Sequence, residues 1–239
     1  MKLDAMFFGA HPDDVELSCG GTVIKLVNSG KKVGIIDLTK GELGTRGSSL
    51  IRENETKKAS RILKISVRKN LQIQDGNILN SEENRIKIIE IIREYTPTII
   101  FLPHYHDRHP DHQNANYLIK DGAFFSGLNK ILTKSGDKKQ QAFRPVKNYY
   151  FMQSYTFEPS FIIDISEEFG NKMKAVKCYS SQFYNPKSNE PATFISDKKF
   201  IEYLEARAAF YGFQIGVKYG EPYFSEEKIK FNINNLFNR

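Results

Sequence analysis

The 239 residues contain five histidines, unevenly placed: His104, His106, His109 and His112 crowd between positions 104 and 112, and His11 opens the run His11-Pro12-Asp13-Asp14. A lone histidine near a strand end is usually structural or exposed. Histidines grouped with carboxylates are different, because imidazole nitrogen and carboxylate oxygen together suit a divalent cation such as zinc. Two histidines and one carboxylate leave a coordination position open, which is the arrangement of a catalytic site. A structural zinc site fills all four positions, often with thiolates. Cys19 and Cys178 lie far apart in no C-x-x-C pair, so they offer no such set. The chemistry this points to is hydrolysis. A bound cation acidifies water, and a neighbouring carboxylate accepts its proton.

Adjacent Asp13 and Asp14 cannot easily point the same way in an extended turn, so one can bind the cation while the other serves as base. Acidic residues here, Glu16 included, equally suit the first turn of a helix. In His109-Pro110-Asp111-His112, Asp111 could orient His109, leaving His109 to steady an oxyanion or protonate a leaving amine. Asp111 could also cap a helix beginning near Pro110. A glycine-bearing loop, Lys40 to Ser49, holds Glu42 and Arg46, with Arg52 just beyond it. The two arginines could clamp a carboxylate or phosphate. The loop matches neither of the glycine-rich phosphate or dinucleotide patterns.

Both histidine groups follow apolar runs with strand character, Leu3 to Gly9 and Thr98 to Leu102. Between them the pattern alternates. Glu16–Asn28 has near-helical apolar spacing, Val33–Leu38 reads as a strand, Ile51–Leu63 as a helix and Val67–Ile73 as a strand. Glu82–Tyr95, with its isoleucine stripe, reads as a helix. This β-α-β-α-β-α-β order predicts a Rossmann-like, three-layer α/β/α fold with a mostly parallel sheet. Sites in such sheets lie at the carboxyl ends of strands. The second half is less regular. Asp111–Leu132 reads as a helix, Thr133–Pro145 as a loop, and Asn148–Thr156 and Ser160–Ile165 as strands. Ser166–Phe183 is expected to be a helix capped by Ser166, and Lys198–Phe213 a last helix. With no clear linker or repeat, residues 1–239 are expected to form one domain.

Forty per cent hydrophobic and 26% charged residues describe an ordinary globular chain, and no stretch approaches the ~20 apolar residues that cross a bilayer. The apolar stretch near Met1 is short and broken by Asp4, so the expectation is a cytoplasmic protein with no membrane partner. The net charge of +7 comes from dispersed lysines, without the basic stripe of a nucleic-acid binder. A positive field would favour an anionic small-molecule substrate.

Ala10-His11-Pro12-Asp13-Asp14-Val15-Glu16 resembles the first motif of the LmbE/PIG-L-like de-N-acetylases, and His109-Pro110-Asp111-His112 resembles their second. The loop from Gly41 to Gly47, with Arg52 and Glu53, is similar to the substrate loop of the bacillithiol-biosynthesis deacetylases. So are Asp107-Arg108, Ser181 to Tyr184, Glu205 to Gly212 and Ile215 to Glu221. Ala192 departs from the glutamate those relatives tend to carry. The resemblance implies His11, Asp14 and His112 as zinc ligands, a set that also suits Fe(II). It implies Asp13 as base and His109, paired with Asp111, as transition-state support. The implied reaction removes acetate from the N-acetylglucosaminyl group of N-acetylglucosaminyl-malate. Arg52, Arg46 and Glu42 would form the substrate loop, with the arginines facing the malate. A homo-oligomer, as large as a hexamer, is also implied. Two other readings compete: a sibling activity on another N-acetylglucosamine conjugate, or a basic binding module with structural histidines.

Overall fold

The computed structural model describes residues 1–230. Seven strands form one sheet. They are β1 (Ala5–Gly9), β2 (Val33–Asp37), β3 (Val67–Asn70), β4 (Ile99–Pro103), β7 (Lys147–Phe151), β8 (Phe161–Asp164) and β9 (Gly220–Phe224), with the two-residue pair β5 (Lys134–Ser135) and β6 (Lys138–Lys139) making a separate hairpin. The sheet order is β3-β2-β1-β4-β7-β9-β8. The first five are parallel neighbours, and β9 runs antiparallel to both β7 and β8.

Helices cover both faces, so β1 and β2 are buried along their whole length and read as continuous apolar runs. The two-residue period of a strand sorts their side chains. Met6 and Phe8 face the layer of α3 (Glu82–Tyr95) and α4 (Pro110–Phe125), where Ile88, Ile92, Leu118 and Ile119 meet them. Ala5 and Phe7 face α1 (Asp14–Asn28), α2 (Ser49–Leu63) and α5 (Phe169–Val176). The last helix, α6 (Phe200–Gln214), packs on β9. The expected three-layer α/β/α architecture with a mostly parallel sheet is present. Among the described residues no helix is long and apolar enough to cross a membrane.

Local chemistry sets the helix starts. The Ser48 and Ser81 hydroxyls accept from the backbone N–H of Ile51 and Asn84, capping α2 and α3. Helix α4 begins with Pro110 at its first position and the His109 ring as its cap. Helix α1 is broken at Cys19, whose backbone leaves the helical region. The buried Glu221 carboxylate repairs the break by accepting from the N–H groups of Gly21 and Thr22, while Lys172 Nζ balances its charge at 2.7 Å.

Several expectations from the second half of the sequence are corrected. The helix expected over 111–132 ends at Phe125, and the loop 133–145 contains the β5–β6 hairpin. The helix expected over 166–183 covers only Phe169–Val176. Ser166 does not cap it: the Ser166 hydroxyl donates to Asp164 at 2.7 Å. Strand β9 was not anticipated, because Pro222 interrupts its pattern, and its antiparallel pairing depends on partners distant in sequence.

Candidate active site

Strands β1 and β4 are parallel neighbours at the point where the chain reverses its direction of travel across the sheet: β2 and β3 lie to one side of β1, β4 and β7 to the other. Loops leaving the carboxyl ends of such strands diverge and open a crevice. The loop after β1 delivers His11, Asp13 and Asp14. The loop after β4 delivers Asp107, His109 and, on the first turn of α4, Asp111 and His112.

Donor atoms of His11, Asp14 and His112 lie within 4.8 Å of one another. His11 Nδ1 is 3.6 Å from Asp14 Oδ2, and His112 Nε2 is 3.3 Å from Asp14 Oδ1. The opposite nitrogen of each ring is tied to carboxylates. His11 Nε2 donates to Asp75 Oδ1 at 3.0 Å and to Asp111 Oδ2 at 3.2 Å. His112 Nδ1 donates to Asp107 Oδ1 at 2.8 Å. Histidines that bind metals are characteristically anchored in this way through the far nitrogen. Two imidazoles among four carboxylates also leave an excess of negative charge, which a divalent cation would offset. The donor set therefore fits such an ion.

The charges follow from the neighbours. Burial alone would lower the His112 pKa, but the Asp14 charge and the Asp107 hydrogen bond lift it to about 9. His11 is likewise raised, against burial, by its bonds to Asp111, Asp14 and Asp75. Asp107 and Asp75 resist the upward push of burial and are held near 2 by their histidine partners. Asp13 behaves oppositely. Burial raises it to about 7 despite the opposing charge of Arg52, whose Nη1 is 3.3 Å from Asp13 Oδ2.

Asp13 stands at the cap position of α1 but makes no capping hydrogen bond, and its φ of 118° is a strained value for a residue other than glycine. Strain of this kind concentrates at functional sites. Asp14 and Glu16 lie in the first turn of α1, as expected of acidic residues, though neither forms a side-chain cap. The buried Glu16 carboxylate pairs with Arg68 and accepts from the Tyr179 hydroxyl.

Asp111 orients His109 through its backbone and not through its carboxylate. The Asp111 carboxylate faces His11 and also accepts from the Gly76 N–H at 2.9 Å, while its own backbone N–H donates to His109 Nδ1 at 3.2 Å. That bond places the proton of the neutral His109 ring on Nε2. Burial and the charges of His112 and His11 lower the His109 pKa, which favours this neutral form.

The histidines open into a cavity of about 420 Å³, which Arg52, Arg108, Gln153, Phe194, Tyr203 and Arg207 also line. The predicted substrate-loop residues divide. Arg52 reaches the cavity wall. Arg46 is buried and lies outside the lining, donating to the carbonyls of Ser181, Phe183 and Pro191. Glu42 is outside it too, holding its own loop by accepting from the N–H groups of Lys40 and Asp75.

Sequence reasoning missed two participants. Asp75 follows β3, two strands from β1 in the sheet, and Asp-Gly there reads as an ordinary turn. Gln153 Nε2 donates to Asp14 Oδ1 at 2.9 Å from the chain following β7, and nothing local marks it.

The model of the GlcNAc-PI de-N-acetylase family, PIG-L, matches residues 6–122, the span from β1 into α4 that holds both motifs. A conserved protein of Thermus thermophilus superposes with a TM-score of 0.87 at 33% identity, over 99% of each chain. The chain belongs to the PIG-L family of de-N-acetylases. Among its relatives is a diacetylchitobiose deacetylase of Thermococcus kodakarensis. It is 29% identical over 225 residues, which span 88% of this chain and 78% of the relative. The diacetylchitobiose deacetylase of Pyrococcus horikoshii superposes with a TM-score of 0.78 at 27% identity, over 92% of this chain and 82% of that one.

Proposed function

We propose that this PIG-L family member is a metal-dependent hydrolase that removes acetate from the N-acetylglucosaminyl group of N-acetylglucosaminyl-malate, as one domain in a homo-oligomer. The observation that carries the hydrolase reading is the convergence of His11, Asp14 and His112, with donor atoms within 4.8 Å of one another, beside a carboxylate raised to about 7. The malate conjugate is supported by the resemblance of the 41–47 loop and the C-terminal half to bacillithiol-pathway deacetylases. The relatives named for diacetylchitobiose support the wider class of N-acetylated amino sugars.

His11, Asp14 and His112 would hold the cation, with zinc the first choice and Fe(II) also suited. When bound, such an ion supplies Lewis acidity that acidifies water and polarises a carbonyl oxygen. Asp13 then takes a proton from the attacking water, a role matched by a pKa near neutrality. Arg52 fixes the Asp13 carboxylate and donates to the Pro12 carbonyl at 2.9 Å, holding the strained turn. Neutral His109 presents Nε2–H to the oxygen that becomes negative as the amide carbon turns tetrahedral. Asp75, Asp107 and Asp111 orient the ligand imidazoles from behind.

The test is acetate release from N-acetylglucosaminyl-malate by purified protein, before and after chelation and zinc restoration. Activity lost and regained with metal is the expected result. Bound metal with turnover of other N-acetylglucosaminides only would replace the malate conjugate by a sibling substrate. Absence of both metal and turnover would overturn the reading.

A further inference from the structure

Three arginines line the cavity, and they differ in what they already hold. Arg52 is committed to Asp13 and to the Pro12 carbonyl. The cavity arginines Arg108 and Arg207 have no carboxylate within ion-pair distance among the described residues, whereas Arg46, Arg52 and Arg68 each do. The buried Arg93, away from the cavity, also lacks one and donates to three carbonyls and the Thr133 hydroxyl. Arg207 is half-buried and donates only to carbonyls, those of Gln153 and Leu17. A guanidinium without a counter-charge at a cavity wall remains able to pair with an anion that enters the cavity.

Each of these two arginines lies over an aromatic ring that lines the same cavity, within cation–π distance. Arg108 Cζ lies 4.5 Å from the centroid of Phe194, and Arg207 Cζ lies 5.6 Å from that of Tyr203. A ring against the face of a guanidinium does not use its N–H edge, the edge that binds carboxylate or phosphate in bidentate fashion. That edge is unused in Arg108 among the described residues, whereas Nη1 and Nη2 of Arg207 each already donate to one carbonyl, leaving Nε–H and their second protons. An exposed arginine at a cavity mouth is ordinarily just solvated. Here the ring fixes Arg108, and the carbonyls fix Arg207.

We propose that Arg108 and Arg207 form an anion-recognition site in the cavity, binding a carboxylate or phosphate carried by the part of the substrate beyond the acetylated sugar. The inference rests on the de-N-acetylase reading and goes further. It moves the anion contact away from Arg46 and Arg52, which the sequence favours, and makes Arg108 and Arg207 the residues that select anionic over neutral N-acetylglucosaminides.

The test compares kcat/KM for N-acetylglucosaminyl-malate, N-acetylglucosamine 1-phosphate and neutral diacetylchitobiose in the zinc-loaded wild type, Arg108→Ala and Arg108→Lys. The expected wild type prefers an anionic substrate, and whichever anion is preferred identifies the source of the charge. Arg108→Ala should reduce that preference by about tenfold or more, mainly through KM, the size expected for losing a hydrogen bond to a charged group. Arg108→Lys should restore part of it. A wild type without preference for anions overturns the proposal, as does an Arg108→Ala enzyme that keeps the full preference. A wild type that deacetylates none of the three overturns the de-N-acetylase reading instead. The anion site is then read by titrating malate and inorganic phosphate into the zinc-loaded protein. Binding that Arg108→Ala weakens would uphold the site, and no binding to the wild type would overturn it.

Discussion

Asp107 Oδ1 accepts the Nδ1 proton of His112 at 2.8 Å, while its Oδ2 accepts the backbone N–H of Ser154 at 2.8 Å. One carboxylate thus fixes the tautomer of a candidate metal ligand and ties the loop after β4 to the chain after β7. Removing such an outer partner typically costs ~10–100-fold in metal affinity. Asp107→Asn is therefore expected to weaken zinc binding by that order in a competition titration with a chelator. His112→Ala should abolish stoichiometric zinc at the same concentrations. Wild-type zinc affinity in Asp107→Asn would show that the 2.8 Å bond plays no part in presenting His112.

Asp13 supplies the second expectation. A carboxylate acts as a base only when deprotonated, and burial raises Asp13 to about 7. Activity should therefore fall as pH drops through the Asp13 pKa and level off above it. A cation beside Asp13 favours its charged form, so the acid limb of the zinc-loaded enzyme is expected at or below about pH 7. Asp13→Asn should lose roughly 10²–10⁴-fold in kcat with its zinc content intact, measured by elemental analysis. A variant with full activity would remove Asp13 from the chemistry.

Arg68 lies outside the cavity lining, yet its removal should be costly. The guanidinium pairs with Asp37 at 2.8 Å and with Glu16, both carboxylates fully buried or nearly so. Taking one member from a buried charged network leaves the others uncompensated, at ~3–5 kcal/mol. Arg68→Met should lower stability to urea by that amount. Because Glu16 sits two residues beyond Asp14, zinc affinity should also drop, though less than in His112→Ala.

Arg46 separates a structural residue from a substrate clamp. The Arg46 side chain pins the carbonyls of Ser181, Phe183 and Pro191 and pairs with Glu190 at 3.9 Å. Arg46→Ala should lower thermal stability, by about 1–3 kcal/mol for the buried groups left unsatisfied, and loosen the segment around 181–191 to proteolysis. A raised KM with unchanged melting would return Arg46 to the substrate.

What the sequence determined by itself is what local pattern encodes. The alternation of apolar runs from Leu3 to Pro103 carried the parallel half of the sheet, because strands buried on both faces read as continuous apolar segments and helices as stripes. The positions of His11, Asp14, His109 and His112 after strand ends were legible for the same reason, since the α/β topology dictates where strand ends lead. Tertiary structure alone decided the pairings. The Asp111 carboxylate serves His11 instead of the nearby His109 because the turn into α4 points it across the crevice. Asp75, 64 residues from His11, joins it only because β1, β2 and β3 stand side by side. Arg46 in the loop and Arg52 six residues on, in the first turn of α2, are alike in type, yet one is folded inward onto carbonyls and the other onto Asp13. Strand β9 exists because β7 and β8 offer it unpaired edges, a condition that no window of sequence around Pro222 contains. Spacing specifies which groups are near one another along the chain. Which of them share a proton, a charge or a cavity wall is set by packing, where burial forces each polar group to find a partner from whatever the fold brings within reach.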